Sequence, residues 1–114
     1  MTICERGEVV LVKFVFSEGK RTKLRPALVL STQDYHNHRQ EIIMAAITSN
    51  VDRQLFGDTK LGDWKKAGLL YPSLAMAIIR TIKREMVERK LGRLSNKDFQ
   101  SVKKNLKKVL GLNS

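Results

Sequence analysis

Apolar runs separated by polar segments organise the first half of the chain. Glu8-Val9-Val10-Leu11-Val12-Lys13-Phe14-Val15-Phe16 is rich in β-branched and aromatic residues and predicts a largely buried strand. Ser17 to Lys23 is a polar, glycine-containing loop. Pro26 to Ser31 predicts a second strand, with the proline at its first position, where a missing N–H costs little. Thr32 to Gln40 reads as a polar loop, and Glu41 to Thr48 as a third strand. Strand, loop, strand, loop, strand points to an antiparallel barrel or sandwich.

The second half is less regular. Ser49 to Gly68 holds three glycines and no clean period, and loops of this length in compact domains are usually functional or partly structured. Leu69 to Ile82 returns to strand character, interrupted by Pro72. Met86 to Leu94 fits either a last strand or an irregular connector. The C-terminus predicts a helix. Ser95 is a good N-cap with Asp98 at capping-box spacing, and Phe99, Val102, Leu106, Val109 and Leu110 share one face. Lys103, Lys104, Lys107 and Lys108 fall late, where the helix dipole favours cations, and Gly111 ends the helix.

At 114 residues, 42% of them apolar, the chain fits a single domain over 1–114 with a modest core. No apolar run approaches the roughly 18 residues that a membrane span needs, and no signal-peptide pattern opens the chain, so a cytoplasmic protein without a membrane partner is expected. One cysteine, Cys4, excludes an internal disulfide and a cysteine-based zinc site. Charge changes the picture more. Twenty-two Lys and Arg against eleven Asp and Glu give a net charge of +11, which points to a polyanionic partner rather than mere solubility.

Four places carry candidate chemistry. Arg25 stands where a loop meets an apolar run, and its guanidinium suits bidentate phosphate recognition; a solvated loop arginine is the alternative. Thr48-Ser49-Asn50 ends the third strand, where a hydroxyl can donate to a phosphate oxygen or serve turn formation. Arg80 alternates with Ile79 on the late strand. His36 and His38 share one side of an extended segment, but no third ligand lies nearby and the solvated reading is preferred. No metal or cofactor is expected.

These fragments, in order, resemble the PemK/MazF family of toxins from bacterial type II toxin–antitoxin systems over nearly the whole chain. Arg6-Gly7-Glu8-Val9-Val10-Leu11-Val12 is similar to the family's opening strand, and Arg25-Pro26-Ala27-Leu28-Val29-Leu30-Ser31 to its most recognisable motif. Ala46-Ile47-Thr48-Ser49, Gly57-Asp58-Thr59, Asp63-Trp64, Ala67-Gly68-Leu69-Leu70, Pro72-Ser73, Ile79-Arg80-Thr81-Ile82 and Lys90-Leu91-Gly92-Arg93-Leu94-Ser95 follow. The resemblance implies a mainly β (α+β) fold, an SH3-like small barrel of antiparallel strands with a C-terminal α-helix, working as a homodimer. It implies a metal-independent endoribonuclease in which the ribose 2′-OH of single-stranded RNA attacks the adjacent phosphate, leaving 2′,3′-cyclic phosphate and 5′-OH ends. An acidic antitoxin protein is the implied partner. Arg25 and Thr48 map onto the family's catalytic pair. Lys20, Arg21, Lys23 and Arg80 are candidate groove cations, Phe16 and Trp64 candidate stacking surfaces, and Ser49 and Asn50 further RNA contacts.

The chain departs from the family's pattern at Leu74-Ala75-Met76-Ala77-Ile78, which is apolar where many relatives carry polar residues. No general base of the family type is evident there, nor in the first loop apart from Glu18. Two other readings therefore stand beside the nuclease: a non-enzymatic toxin on the same barrel, as in the gyrase poison CcdB, and a catalytically silent RNA- or protein-binding barrel.

Overall fold

The computed structural model describes residues 4–15 and 21–112. Their order is β1 (Glu8–Val15), β2 (Thr22–Val29), α1 (Gln33–His38), β3 (Glu41–Thr48), β4 (Thr59–Lys60), β5 (Leu74–Lys83), a single 3-10 turn (Arg84–Met86), β6 (Val87–Arg93) and α2 (Asn96–Leu110). The strands form one six-stranded sheet in the order β4-β5-β3-β2-β1-β6, and every pairing is antiparallel. This is the small, β-rich α+β architecture with a C-terminal helix that the sequence predicts. It is not a closed barrel: β4 and β6 are the sheet's two edges.

The long apolar runs are explained by burial on both sheet faces. Val9, Leu28, Ala45, Ile47 and Ala75 pack with Val102 and Leu106 of α2 and with Leu61, Ala67 and Leu69 of the β4–β5 connection. Val10, Val12, Ala27, Val29, Ile42, Met44 and Ile82 face the other way, with Cys4 and Val87. A strand covered on both faces reads as continuous apolar sequence rather than alternation. Fully burying each such side chain contributes roughly 1.5–3 kcal/mol.

Several boundaries differ from expectation. β2 begins at Thr22, four residues before Pro26, because Thr22 to Arg25 pair with Val15 to Val12 of β1. Arg25 is therefore a strand residue and not a loop residue. The Thr32 to Gln40 segment is not loop throughout: Thr32 caps α1 by accepting the Tyr35 N–H at 3.3 Å. A helical rather than extended backbone separates the two histidines. His36 is buried and His38 exposed, which corrects the solvated, same-side reading of the pair. β5 starts only at Leu74, after Pro72, and β6 resolves the ambiguity over Met86 to Leu94 in favour of a strand.

The N-terminus of α2 forms as expected on one side only. Ser95 accepts the Asp98 N–H at 3.2 Å, but the Asp98 carboxylate does not return to the cap. It accepts instead the N–H groups of Gly62 and Asp63, at 3.1 and 2.8 Å. Asp98 thereby ties the β4–β5 connection to the first turn of the helix, where a negative charge also suits the dipole.

Candidate active site

A pocket of about 550 Å³ opens where β2 and β3 part. The two strands pair Ala27 with Ala46. Continuing that register would set Arg25 opposite Thr48, but the pairing stops at Ala27 and Ala46. Pro26 has no N–H to donate to a ladder. The neighbouring pairings are also irregular, with register shifts between Ala45 and Ile47 against β5 and between Leu11 and Val12 against β6. Such irregularities bend strands and re-aim side chains, and they recur beside active sites.

Arg25, Pro26, Ile47, Thr48 and Ser49 line one side of the pocket. Leu11, Arg89, Lys90 and Leu91 line another, and Gly68, Leu69, Leu70, Tyr71 and Ser73 close it. Thr48 Oγ1 accepts the Asn50 N–H at 3.2 Å. The turn chemistry and the functional reading of this hydroxyl are thus compatible: its oxygen is held, and its own proton has no acceptor among the described residues. The Arg25 side chain is exposed, and among the described residues its guanidinium has no ion pair or hydrogen bond. Arg89 is likewise exposed and has no ion pair or hydrogen bond among the described residues, whereas Lys90 lies 3.3 Å from Glu8. Among the described residues the lining holds three cations and no carboxylate, a field that attracts an anion.

The other candidates fall in different places. Ser49 joins Arg25 and Thr48 in the lining; Asn50 supplies its backbone N–H to Thr48. Arg21 and Lys23 are exposed along the β1–β2 hairpin, outside the lining. Arg80 pairs with Met44, four residues from Thr48, which is roughly 13 Å along a strand. Its guanidinium sits 5.2 Å from the Phe14 ring centroid. Trp64 packs half-buried against the core, with Lys65 5.5 Å from its ring centroid, and does not line the pocket. Phe16, Lys20 and Glu18 lie outside the described residues.

Sequence reasoning missed Tyr71, Ser73, Arg89 and Lys90. Tyr71 precedes Pro72, and a residue before proline is driven to extended backbone. Pro72 itself, with no N–H for a ladder, was the usable sign that Leu69 to Tyr71 ends a loop rather than begins the strand, which starts at Leu74. Nothing local marked Arg89, because only the pairing of Leu11 with both Pro26 and Arg89 brings β6 to the pocket.

The pocket's wall is held by backbone contact. Gly68 has φ +80°, and a Cβ there would collide with the Leu91 carbonyl. A Cβ at Gly92 would meet the Ala67 carbonyl oxygen at 2.5 Å. The β4–β5 connection thus rests directly on the backbone of β6, bridging the open side of the sheet.

Over residues 5–110 the chain matches the family described as PemK-like, MazF-like toxin of type II toxin-antitoxin system. The chain belongs to this toxin family. Among solved structures, a MazE–MazF complex from Deinococcus radiodurans is similar at a TM-score of 0.80 and 20% identity, over 96% of this chain and 98% of that one. An endoribonuclease in complex with its cognate antitoxin, from a mycobacterial species, gives 0.79 and 17%, over 98% and 99%. The Mycobacterium tuberculosis toxin MazF-mt6 gives 0.75 and 20%, over 94% and 99%. At these identities the likeness concerns fold. No curated protein matches the chain.

Elsewhere in this MazF-like chain, polar clusters are structural. Ser31 Oγ lies 2.6 Å from His36 Nε2 and accepts the Ile43 N–H at 3.0 Å. Burial pushes the His36 imidazole below its ordinary pKa, and the Arg84 charge adds to that effect against an opposing interaction with the Cys4 backbone. A neutral imidazole allows Nε2 to accept the Ser31 O–H, for which the Ile43 carbonyl at 3.5 Å is the alternative acceptor. Burial also pushes the Cys4 thiol up, with Glu8 reinforcing it, which leaves a poor nucleophile. Among the described residues no three His, Cys, Asp or Glu side chains gather to hold a metal ion, and no helix is long and apolar enough to cross a membrane.

Proposed function

We propose that this toxin is an endoribonuclease that cleaves single-stranded mRNA in the cytoplasm without a metal ion. The ribose 2′-OH attacks the adjacent phosphorus, the 5′-oxygen leaves, and the products carry a 2′,3′-cyclic phosphate and a 5′-OH. The observation that carries this reading is the pairing, on one cation-lined pocket, of an Arg25 guanidinium and a Thr48 hydroxyl whose protons have no partner among the described residues. Negative charge grows on the phosphate oxygens in the transition state, and donors fixed in advance around it lower the barrier. The names of the similar structures, an endoribonuclease and MazF toxins, agree with it.

The test is cleavage of single-stranded RNA by purified protein in EDTA, with end-group analysis for cyclic phosphate. Arg25→Ala should lose ~100-fold or more in rate while keeping its circular dichroism and melting temperature. Full activity in that variant would overturn the assignment.

A second reading is favoured by one observation: among the described residues, no histidine or carboxylate lines the pocket to move the proton. A catalytically silent barrel would bind RNA with steep salt dependence and leave it intact.

Two partners complete the proposal. An acidic antitoxin suits a chain of net charge +11. A second copy suits the apolar end of the molecule, where Phe56, Ile78, Val109 and Leu110 are exposed and the two-residue β4 leaves the outer side of β5 without a strand partner beyond Ala75. Sedimentation of the purified toxin should show a dimer, and Val109→Glu should shift it to monomer.

A further inference from the structure

We infer that the segment from Leu69 to Ser73 is a base-binding subsite, with the Tyr71 ring as the platform on which an unpaired RNA base stacks beside the Arg25–Thr48 pair. The inference rests on the nuclease reading and specifies which residue selects the substrate.

Tyr71 is 64% exposed although it lines the pocket, and Leu70 beside it is 81% exposed. Two large apolar side chains left in water at the rim of a cationic pocket are costly unless a ligand covers them. A flat, polarisable ring suits a base whose own face is free, and stacking of this kind is tolerant of sequence but demands an unpaired strand. The pocket's cations supply the other half of the recognition. Leu11 of β1 pairs with Pro26, the residue after Arg25, on one side and with Arg89 on the other, so the strands that carry the two arginines stand two strand spacings apart, roughly 10 Å. A backbone phosphate held by these guanidiniums would carry its adjoining base towards the Leu70–Tyr71 rim.

The backbone that carries the Tyr71 ring is fixed before any ligand arrives. The Tyr71 carbonyl accepts the Ser73 hydroxyl at 2.8 Å, and Ser73 is itself 3% exposed. The Ser73 carbonyl accepts the Leu61 N–H at 3.0 Å, and the Leu69 N–H donates to the Trp64 carbonyl at 3.1 Å. Pro72 fixes the backbone between them. Gly68 and Gly92 set the whole segment against β6. On a fixed backbone a tyrosine ring has only two side-chain torsions to lose on binding, which favours such a contact. Trp64 lacks these properties: its ring packs against the core.

The experiment begins by mapping a wild-type cleavage site in a single-stranded RNA. Kinetics follow on a short fluorogenic RNA containing that site, and binding on its all-deoxy counterpart, which has no 2′-OH and cannot be cleaved. Tyr71→Ala should raise KM and weaken binding roughly tenfold, with kcat changed far less. Tyr71→Phe should match wild type, because the face and not the hydroxyl is used. A 2-aminopurine placed next to the scissile bond should be quenched on binding to wild type and Tyr71→Phe, and not to Tyr71→Ala. Because Tyr71 is exposed, the melting temperature should hold in both variants. Unchanged KM and quenching in Tyr71→Ala would overturn the inference while wild-type cleavage left the nuclease reading intact. Equal damage from Tyr71→Phe would also overturn it, by showing that the hydroxyl acts. Wild-type protein that neither cleaves nor binds the RNA would overturn the nuclease reading and this inference together.

Discussion

Two hydroxyls flank the same strand and have opposite uses. Ser31 sits against the start of β3, accepting the Ile43 N–H and facing His36 Nε2, fully buried and fully partnered. Thr48 ends β3, accepting one N–H from Asn50, and its own proton has no acceptor among the described residues. Both lie beside apolar strands, and both are near groups that sequence alone marks as chemical, a histidine in one case and an arginine in the other. What separates them is the count of partners. A buried hydroxyl whose hydrogen bonds are all made within the chain stabilises the fold, whereas a hydroxyl with an unspent donor in a cationic pocket is available to a substrate.

The largest expected effect comes from emptying the open end. Thr48→Val removes the donor while keeping the shape, and cleavage should fall ~100-fold with no loss in melting temperature; Thr48→Ser should restore most of the rate. If Thr48→Val cleaves normally, the distinction between the two hydroxyls fails at its functional end. At the closed end the effect should appear in stability. Ser31→Ala leaves the Ile43 N–H and His36 Nε2 without a partner, so urea denaturation should show a loss of about 1–3 kcal/mol, with the rate per folded molecule unchanged. The smallest effect sharpens the same point through pH. His36 is held neutral by burial, with a folded pKa below its ordinary value. The unfolded chain therefore binds the proton first. The stabilising contribution is fully present above about pH 6.5, the ordinary histidine value, and declines as pH falls towards the folded value. A His36→Asn variant should show a flatter melting-temperature profile between neutral and mildly acid pH. A wild-type profile without that slope would remove His36 from the closed cluster.

The sequence displays one half of the site and conceals the other for a physical reason. Arg25 and Thr48 stand on adjacent strands at positions that the β2–β3 register nearly pairs, so an ordered pair of motifs records them. Phe99, Val102 and Leu106 likewise announce the helix through their spacing. Tyr71 and Arg89 reach the pocket only through long-range geometry: β6 pairs with β1 rather than with its sequence neighbour β5, and two glycines let a loop descend onto it. α1 was hidden because Thr32 to Gln40 is polar throughout, and one buried histidine leaves no period to detect. Asp98 illustrates a third case. Its spacing from Ser95 foretold the helix start correctly, yet the carboxylate serves the Gly62–Asp63 turn thirty-five residues away in sequence.

The contact between Gly68 and Gly92 has a consequence for how such a toxin can diversify. Neither position tolerates a side chain without moving the other's backbone, so the depth of the pocket is a fixed quantity of the architecture. Leu70, Tyr71 and Arg89 stand at its edge on exposed, forgiving ground. Changes in what the pocket favours are therefore confined to the rim, and a lineage or an engineer seeking a new preference has a short, separable set of positions to alter while the scaffold beneath stays the same.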